Sequence, residues 1–93
     1  KVLALDCAFG AISLAAASWQ DGELASLGVL SIPRPAARAE RLVPAIEDVL
    51  SRADIAARDL TLVAVTSGPG TFTGVRVGIA AANGLSLATG CEV

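Results

Sequence analysis

A chain of 93 residues is long enough for one domain and no more. Hydrophobic residues make up 54% of the chain but aromatic residues only 3%, so aliphatic side chains must form the core. The formal net charge is −2 and the seven cationic residues are scattered, which argues against a nucleic-acid-binding surface. The chain has no histidine, which removes the usual general base and a common metal ligand.

Targeting and membrane signals are missing from the sequence. No apolar run approaches the roughly 20 residues of a membrane span. Two cysteines cannot form a disulfide framework and no secretory signal is recognisable, so we expect a cytoplasmic location. The chain begins in a strand pattern without Met and ends at "CEV", where another strand begins, so we expect one lobe of a longer protein.

The first third of the chain predicts an antiparallel meander of three strands. The segments "KVLALD", "AISLAAASW" and "ELASLGVLSI" are apolar or alternating, as in buried and half-buried strands. Asp21-Gly22 between the second and third segments is a strong hairpin signal. The connections are too short for a crossover, so neighbouring strands must run antiparallel.

The remaining two thirds predict helices alternating with strands. Helical spacing from about Ala36 to Ala53 places five apolar residues on one face: Leu42, Val43, Ile46, Val49 and Leu50. Pro44 is acceptable there only if the helix begins near Arg41 or is kinked. A buried strand "LTLVAVT" precedes a second helix from Thr73 to about Thr89, which Gly90 ends. The predicted order is β-β-β-α-β-α-β with a mixed sheet and right-handed crossovers.

The stretch "SGPGTFTGVRVG" between the last full strand and the last helix admits two interpretations. As an anion site, its glycines would expose backbone amides, Thr71 or Thr73 would cap the helix, and Arg76 would clamp an oxyanion. As a packing turn, Gly74 and Gly78 would only allow the chain to pass closely. It matches neither the P-loop nor the dinucleotide fingerprint.

Asp6 and Cys7 follow the first strand and also have two interpretations. In a phosphotransfer fold, a carboxylate at Asp6 could hold a metal through water. Alternatively, the side chain of Asp6 only caps the turn "CAFG". Cys7 has no histidine or second cysteine nearby in sequence, so we interpret it as a small, semi-buried residue.

The segments "LALD", "AERLVPAIEDVL" and "DLTLVAVTSGPGTFTGVRVGIAAANGLSLATG", together with the element order, resemble the TsaB (YeaZ) family. TsaB is a bacterial partner protein in forming threonylcarbamoyladenosine at position 37 of tRNA. The resemblance implies an α/β fold, namely an actin-like/Hsp70-like ATPase (ribonuclease H-like) lobe, with residues 1–93 as the N-terminal lobe of two. It also implies that one set of residues faces a nucleotide site: Asp6, Gly68, Pro69, Gly70, Thr71 and Arg76.

Two departures from the family pattern weaken a phosphate role. Family members usually have Thr-Ser after the strand-end aspartate, where this chain has Cys7-Ala8. Many relatives carry a histidine before the "AERL"-like segment, where this chain has Arg38-Ala39. The resemblance therefore implies a non-catalytic scaffold without catalytic or metal-binding residues, in which ATP or ADP binds only at a partner interface.

The same resemblance implies partners. TsaD is the expected enzyme partner, TsaE joins a larger assembly, and tRNA is contacted only through the complex. The last helix is apolar nearly all round, which suits a partner interface or, alternatively, a surface that the expected second lobe covers. The expected interface residues are Leu42, Ile46, Val49, Ile79, Asn83 and Leu85. In the absence of TsaD, we expect the same surface to form a two-fold homodimer. The alternative function is a nucleotide-binding kinase or ATPase-type lobe that uses Asp6 and the turn Gly68–Thr71 for its own phosphate chemistry.

Overall fold

The computed structural model describes residues 1–93, which form a four-stranded sheet and two α-helices. The strands are β1 (Val2–Asp6), β2 (Ile12–Gln20), β3 (Glu23–Ile32) and β4 (Leu62–Val65). The helices are α1 (Leu42–Arg52) and α2 (Phe72–Thr89), with short 3-10 turns at Ala39–Arg41 and Ala57–Asp59. The predicted element order is confirmed up to the end of α2.

The sheet is mixed, with strand order β3-β2-β1-β4. β2 runs antiparallel to both β1 and β3, whereas β4 runs parallel to β1. Asp21 and Gly22 both have positive φ, at 55° and 79°, as a two-residue hairpin turn with right-handed strand twist requires. Both the antiparallel meander and the parallel crossover are therefore as predicted.

The predicted fifth strand is represented by a single bridge to β4. Glu92 forms a parallel bridge with Leu62, in which Val63 donates its N–H to the Glu92 carbonyl at 2.7 Å. This bridge places the end of the chain beside β4, at the edge of the sheet opposite β3.

Both helices pack on the same face of the sheet, α1 against β2 and β3 and α2 against β1 and β4. Inward-facing residues of the strands alternate with exposed ones and meet α1 in a single core, which includes Leu3, Leu14, Val49 and Val63. Gly28 allows α1 to approach β3, because a Cβ atom at this position would lie 2.5 Å from the Val49 carbonyl oxygen.

The first helix begins later than the sequence pattern predicts. The segment before it forms a turn and a 3-10 helix, and α1 starts at Leu42. Pro44 is then the third residue of the helix, where its missing N–H would have had no intrahelical acceptor. The predicted apolar stripe is wrong at one position, because Val43 is 61% exposed while its four companions are buried.

The face of the sheet opposite the helices has no covering layer. Leu27 and Val29 of β3 and Leu62 of β4 point to this side, since they alternate with residues that face the helices. All three remain between 38% and 58% exposed. The core of this chain is therefore built on one side of the sheet only.

Candidate functional site

The turn between β4 and α2 is packed against the turn that follows β1. Thr71 donates its backbone N–H to the Ala8 carbonyl at 2.5 Å. A Cβ atom on Gly70 would lie 2.5 Å from the same carbonyl oxygen, and one on Gly74 would overlap the carbonyl oxygen of Cys7. These glycines are required because two backbone segments touch here, which favours the packing interpretation of the stretch.

Thr71 caps the second helix, as the sequence suggested. It has an extended backbone, and its hydroxyl accepts the N–H of Gly74 at 3.1 Å. Gly90 ends the same helix with φ of 78°, as predicted for a left-handed C-cap. Gly68 and Pro69 lie on the exposed part of the turn, where Gly68 has φ of 146°.

Asp6 lies at the carboxyl end of β1, at the same end of the sheet as the glycine-rich turn. Its carboxylate accepts the backbone N–H of Ala8 at 2.9 Å. This is the turn-capping role that the sequence offered as one alternative. The side chain is exposed, and no group of three or more His, Cys, Asp or Glu residues lies close enough together to hold a metal ion.

The side chain of Cys7 is buried, and the side chain of Arg76 contacts an aromatic ring. Burial raises the pKa of the Cys7 thiol, and the nearby Asp6 carboxylate raises it further. The thiol is therefore held in its protonated, weakly nucleophilic form. Arg76 lies on the surface of α2 with its guanidinium 4.1 Å from the centre of the Phe72 ring, in a cation–π contact.

A small cleft of about 160 Å³ separates the start of α2 from the segment before α1. Thr71, Thr73 and Gly74 form one wall and Arg38 is the only charged residue that lines it. The structure thus brings Thr71 and Arg38 to the same cleft.

A second, larger recess is the groove between α1 and α2, with a volume of about 350 Å³. We call it the interhelical groove. Its lining is apolar except for one side chain, and consists of Val43, Ile46, Glu47, Leu50, Ala57, Ala81, Gly84 and Leu85. No other part of the described chain covers it, so both helices contribute exposed apolar surface at this place.

The predicted interface residues fall into two groups. Leu42 and Val49 are buried in the core, at 2% and 0% exposure, so neither side chain is part of the exposed helical surface. Ile46 is 5% exposed but still contributes to the floor of the interhelical groove. The α2 residues fit better, because Leu85 lines the groove, Ile79 is half-buried and Asn83 is exposed.

Sequence reasoning missed three residues of this helical surface. Val43 is 61% exposed and Leu87 is 89% exposed, although both are large and apolar. Gly84 lies within α2 with no other group within 4 Å of where its Cβ would be. A signal was present, because a glycine in the middle of a helix is unfavourable unless a close contact requires it.

Neither helix is both long enough and apolar enough to cross a bilayer.

Comparison with known proteins places the chain in a family. Residues 25–93 match the family described as "TsaD: tRNA N6-adenosine threonylcarbamoyltransferase". YeaZ from Pseudomonas aeruginosa superposes with a TM-score of 0.73 at 35% identity, covering 99% of this chain and 42% of that one. The chain therefore has the actin-like, ribonuclease H-like fold of YeaZ.

Two kinds of proteins are similar in sequence to this chain. The TsaB protein of Escherichia coli, a tRNA threonylcarbamoyladenosine biosynthesis protein, is 37% identical over 87 residues, which are 94% of this chain and 36% of that protein. The tRNA N6-adenosine threonylcarbamoyltransferase of Erythrobacter litoralis is 44% identical over 61 residues, 63% of this chain and 18% of that protein. The chain belongs to the TsaD family and, within it, to the TsaB (YeaZ) proteins. It spans about a third of the length of the TsaB relative.

Proposed function

We propose that this chain is the N-terminal lobe of a two-lobed, non-catalytic partner of the TsaD enzyme in threonylcarbamoyladenosine formation on tRNA. The observation that carries the proposal is the uncovered interhelical groove, flanked by exposed apolar side chains. The similarity to TsaB supports the pathway, and the parallel similarity to threonylcarbamoyltransferases supports a related enzyme as partner.

The helical surface has the properties of a protein interface. Between Val77 and Cys91 the chain carries no charged residue, so beyond Arg76 the exposed side of α2 has no ionic group. Val43 of α1 and Leu87 of α2 add large exposed apolar side chains to the helical surface. Monomeric proteins seldom leave such continuous apolar surface exposed, and helices with small residues such as Gly84 permit a partner helix to approach closely.

The opposite end of the lobe gives little support for catalysis by this chain. The Asp6 carboxylate caps its own turn, and Cys7 and Ala8, which follow it, carry no hydroxyl group. No histidine is available as a base. A nucleotide would accordingly bind only where the partner completes a site, next to Gly68, Pro69 and Thr71.

The wider assembly follows from the same proposal. TsaE joins the complex with TsaD, tRNA contacts the complex rather than this lobe, and the location is cytoplasmic. In the absence of TsaD, the interhelical groove and its rim pair with a second copy, because a two-fold dimer lets each copy cover the other's apolar surface.

The decisive experiment compares two substitutions at one position of the groove. Gly84→Leu places a branched side chain where a partner helix would lie, and there is space for it in the isolated lobe. We expect at least a tenfold loss of affinity for the TsaD of the same organism, measured by isothermal titration calorimetry. Gly84→Ala is the matched control, because it adds a single methyl group and favours the helix.

Thermal unfolding of both variants separates binding from folding. We expect the melting temperature of Gly84→Leu to stay within a few degrees of wild type, because leucine is a good helix former. Wild-type affinity of a folded Gly84→Leu variant would show that TsaD does not bind at the groove. Failure of the wild-type chain to bind TsaD would overturn the proposed function itself.

A further inference from the structure

The interhelical groove contains a single charged group. Glu47 of α1 lines it, whereas the other lining residues are apolar or glycine. Glu47 is exposed, and the three ion pairs of the chain, Lys1–Asp59, Arg38–Glu40 and Arg52–Asp48, leave it without a cationic partner.

A partner that covers the groove either buries this carboxylate or pairs it with a cation. Covering an unpaired charge with apolar surface removes its water and is costly, whereas a cation placed opposite it forms a charge-assisted hydrogen bond. Charge complementarity of this kind discriminates between partners more than it adds affinity. A helix that covers the groove should therefore present Lys or Arg opposite Glu47.

A second copy of this chain is poorly suited to that role. α2 has one cation, Arg76, and it is already stacked on Phe72 near the start of the helix. On α1, Arg52 donates to Asp48 and to the Val29 carbonyl. Arg41 and Arg58 form no ion pair, but they lie outside both helices, in the short 3-10 turns. A symmetric pairing of α1 with α1 would bring the two Glu47 carboxylates towards each other, which is unfavourable.

We infer that Glu47 is a specificity-determining residue, which selects a partner helix carrying Lys or Arg over a second copy of the chain, so that the homodimer proposed above is the weaker assembly and forms only when that partner is absent. This inference rests on the proposed function, because the occupant of the groove is taken to be a protein helix of the TsaD partner. It goes further by stating the charge which that helix must carry.

The test is an affinity series at one position, measured with the TsaD of the same organism. Glu47→Gln keeps the size of the side chain and should weaken binding about 3- to 10-fold, since the rim charge pair is lost. Glu47→Lys opposes two cations and should weaken it at least 30-fold. Glu23→Lys, at the β2–β3 hairpin and outside the groove, makes the same charge change and should stay within twofold of wild type.

Two further measurements separate an effect of the Glu47 charge on binding from an effect of side-chain packing. Raising the salt concentration from about 50 to 300 mM should weaken wild-type binding and leave the affinity of Glu47→Gln nearly constant. Sedimentation of the chain alone should show stronger self-association for Glu47→Gln than for wild type. Circular dichroism must show that each variant is folded, which is expected because Glu47 is exposed on the helix surface.

The outcomes distinguish this inference from the proposal beneath it. Wild-type binding together with equal binding by Glu47→Lys would overturn the role of Glu47 and leave the proposed function standing. Tighter binding by Glu47→Gln would also overturn it, because the carboxylate would then be buried without a cation. Weaker self-association of Glu47→Gln would identify a second copy as the partner that supplies the cation. No binding by wild type would overturn both.

Discussion

The two ends of α2 differ in how their side chains and backbone are used. At its start, the groups that look chemically active already have partners within the chain: Asp6 holds the Ala8 amide, Thr71 holds the Gly74 amide, and Gly74 lies against Cys7. Further along, Gly84 and Leu87 contact almost nothing, and Leu87 is 89% exposed.

This difference shows where an external partner is expected. Residue types associated with phosphate chemistry serve here to join two turns, whereas ordinary aliphatic residues and a glycine are left without a partner. A turn that satisfies its own hydrogen bonds has little left to offer a ligand, while exposed apolar surface lowers its free energy only by association. Substitutions in the turn test this difference.

The largest effect should come from Gly74→Ala. The added methyl group would overlap the Cys7 carbonyl and lie 2.7 Å from the Thr71 hydroxyl, so backbone must move. We expect the free energy of unfolding to fall by about 3 kcal/mol, near the upper end for overpacking. Urea denaturation followed by circular dichroism measures it.

Gly84→Ala provides the internal reference for that measurement. The same substitution in the same helix meets no neighbour there, so the stability should rise by about 0.5–1 kcal/mol. Equal effects at the two glycines would mean that the turn is not tightly packed, and the contrast between the ends of α2 would disappear.

A smaller effect is expected for Asp6→Ala. This change leaves the N–H of the buried Ala8 without its acceptor and should cost about 1–2 kcal/mol of stability. Asp6→Asn retains an acceptor oxygen and should lose less. Affinity for TsaD should be unchanged in both variants, as measured by calorimetry.

The Asp6 pair of variants also tests the alternative function. An ATPase lobe that uses Asp6 would hydrolyse ATP, and the Asn variant would lose this activity despite its nearly normal stability. Nucleotide hydrolysis by the purified wild-type protein that Asp6→Asn abolishes would reverse the comparison and make the turn the functional end.

Local patterns were sufficient for most of the fold. The alternation of β2, the Asp21-Gly22 turn and the Gly90 cap are each determined by a few neighbouring residues, and all three were predicted correctly. The start of α1 was not, because the residues before Leu42 form a turn and a 3-10 helix that the apolar spacing does not distinguish from an α-helix.

The interface residues were harder to predict for a physical reason. Periodicity shows that a helix has an apolar face, but it does not show whether that face meets its own sheet or another molecule. Leu42 and Val49 were therefore assigned to a partner although they pack in the core. Val43 differs from them by its tertiary position, which becomes known once α1 is placed on the sheet.

The smallest effect concerns Cys7 and the dependence of stability on pH. Burial raises the pKa of its thiol in the folded chain, so the folded state retains a proton that the unfolded state releases above about pH 8.5. Stability from this group is therefore complete below that pH and is lost as the pH rises. The loss up to pH 9.5 should be about 1 kcal/mol at most, and Cys7→Ala should show a flatter profile in urea denaturation at pH 7.5, 8.5 and 9.5. The same decline in both proteins would mean that Cys7 can ionise without disturbing the contact between the two turns. The start of α2 would then be looser than its hydrogen bonds indicate, and it would resemble the groove end more closely.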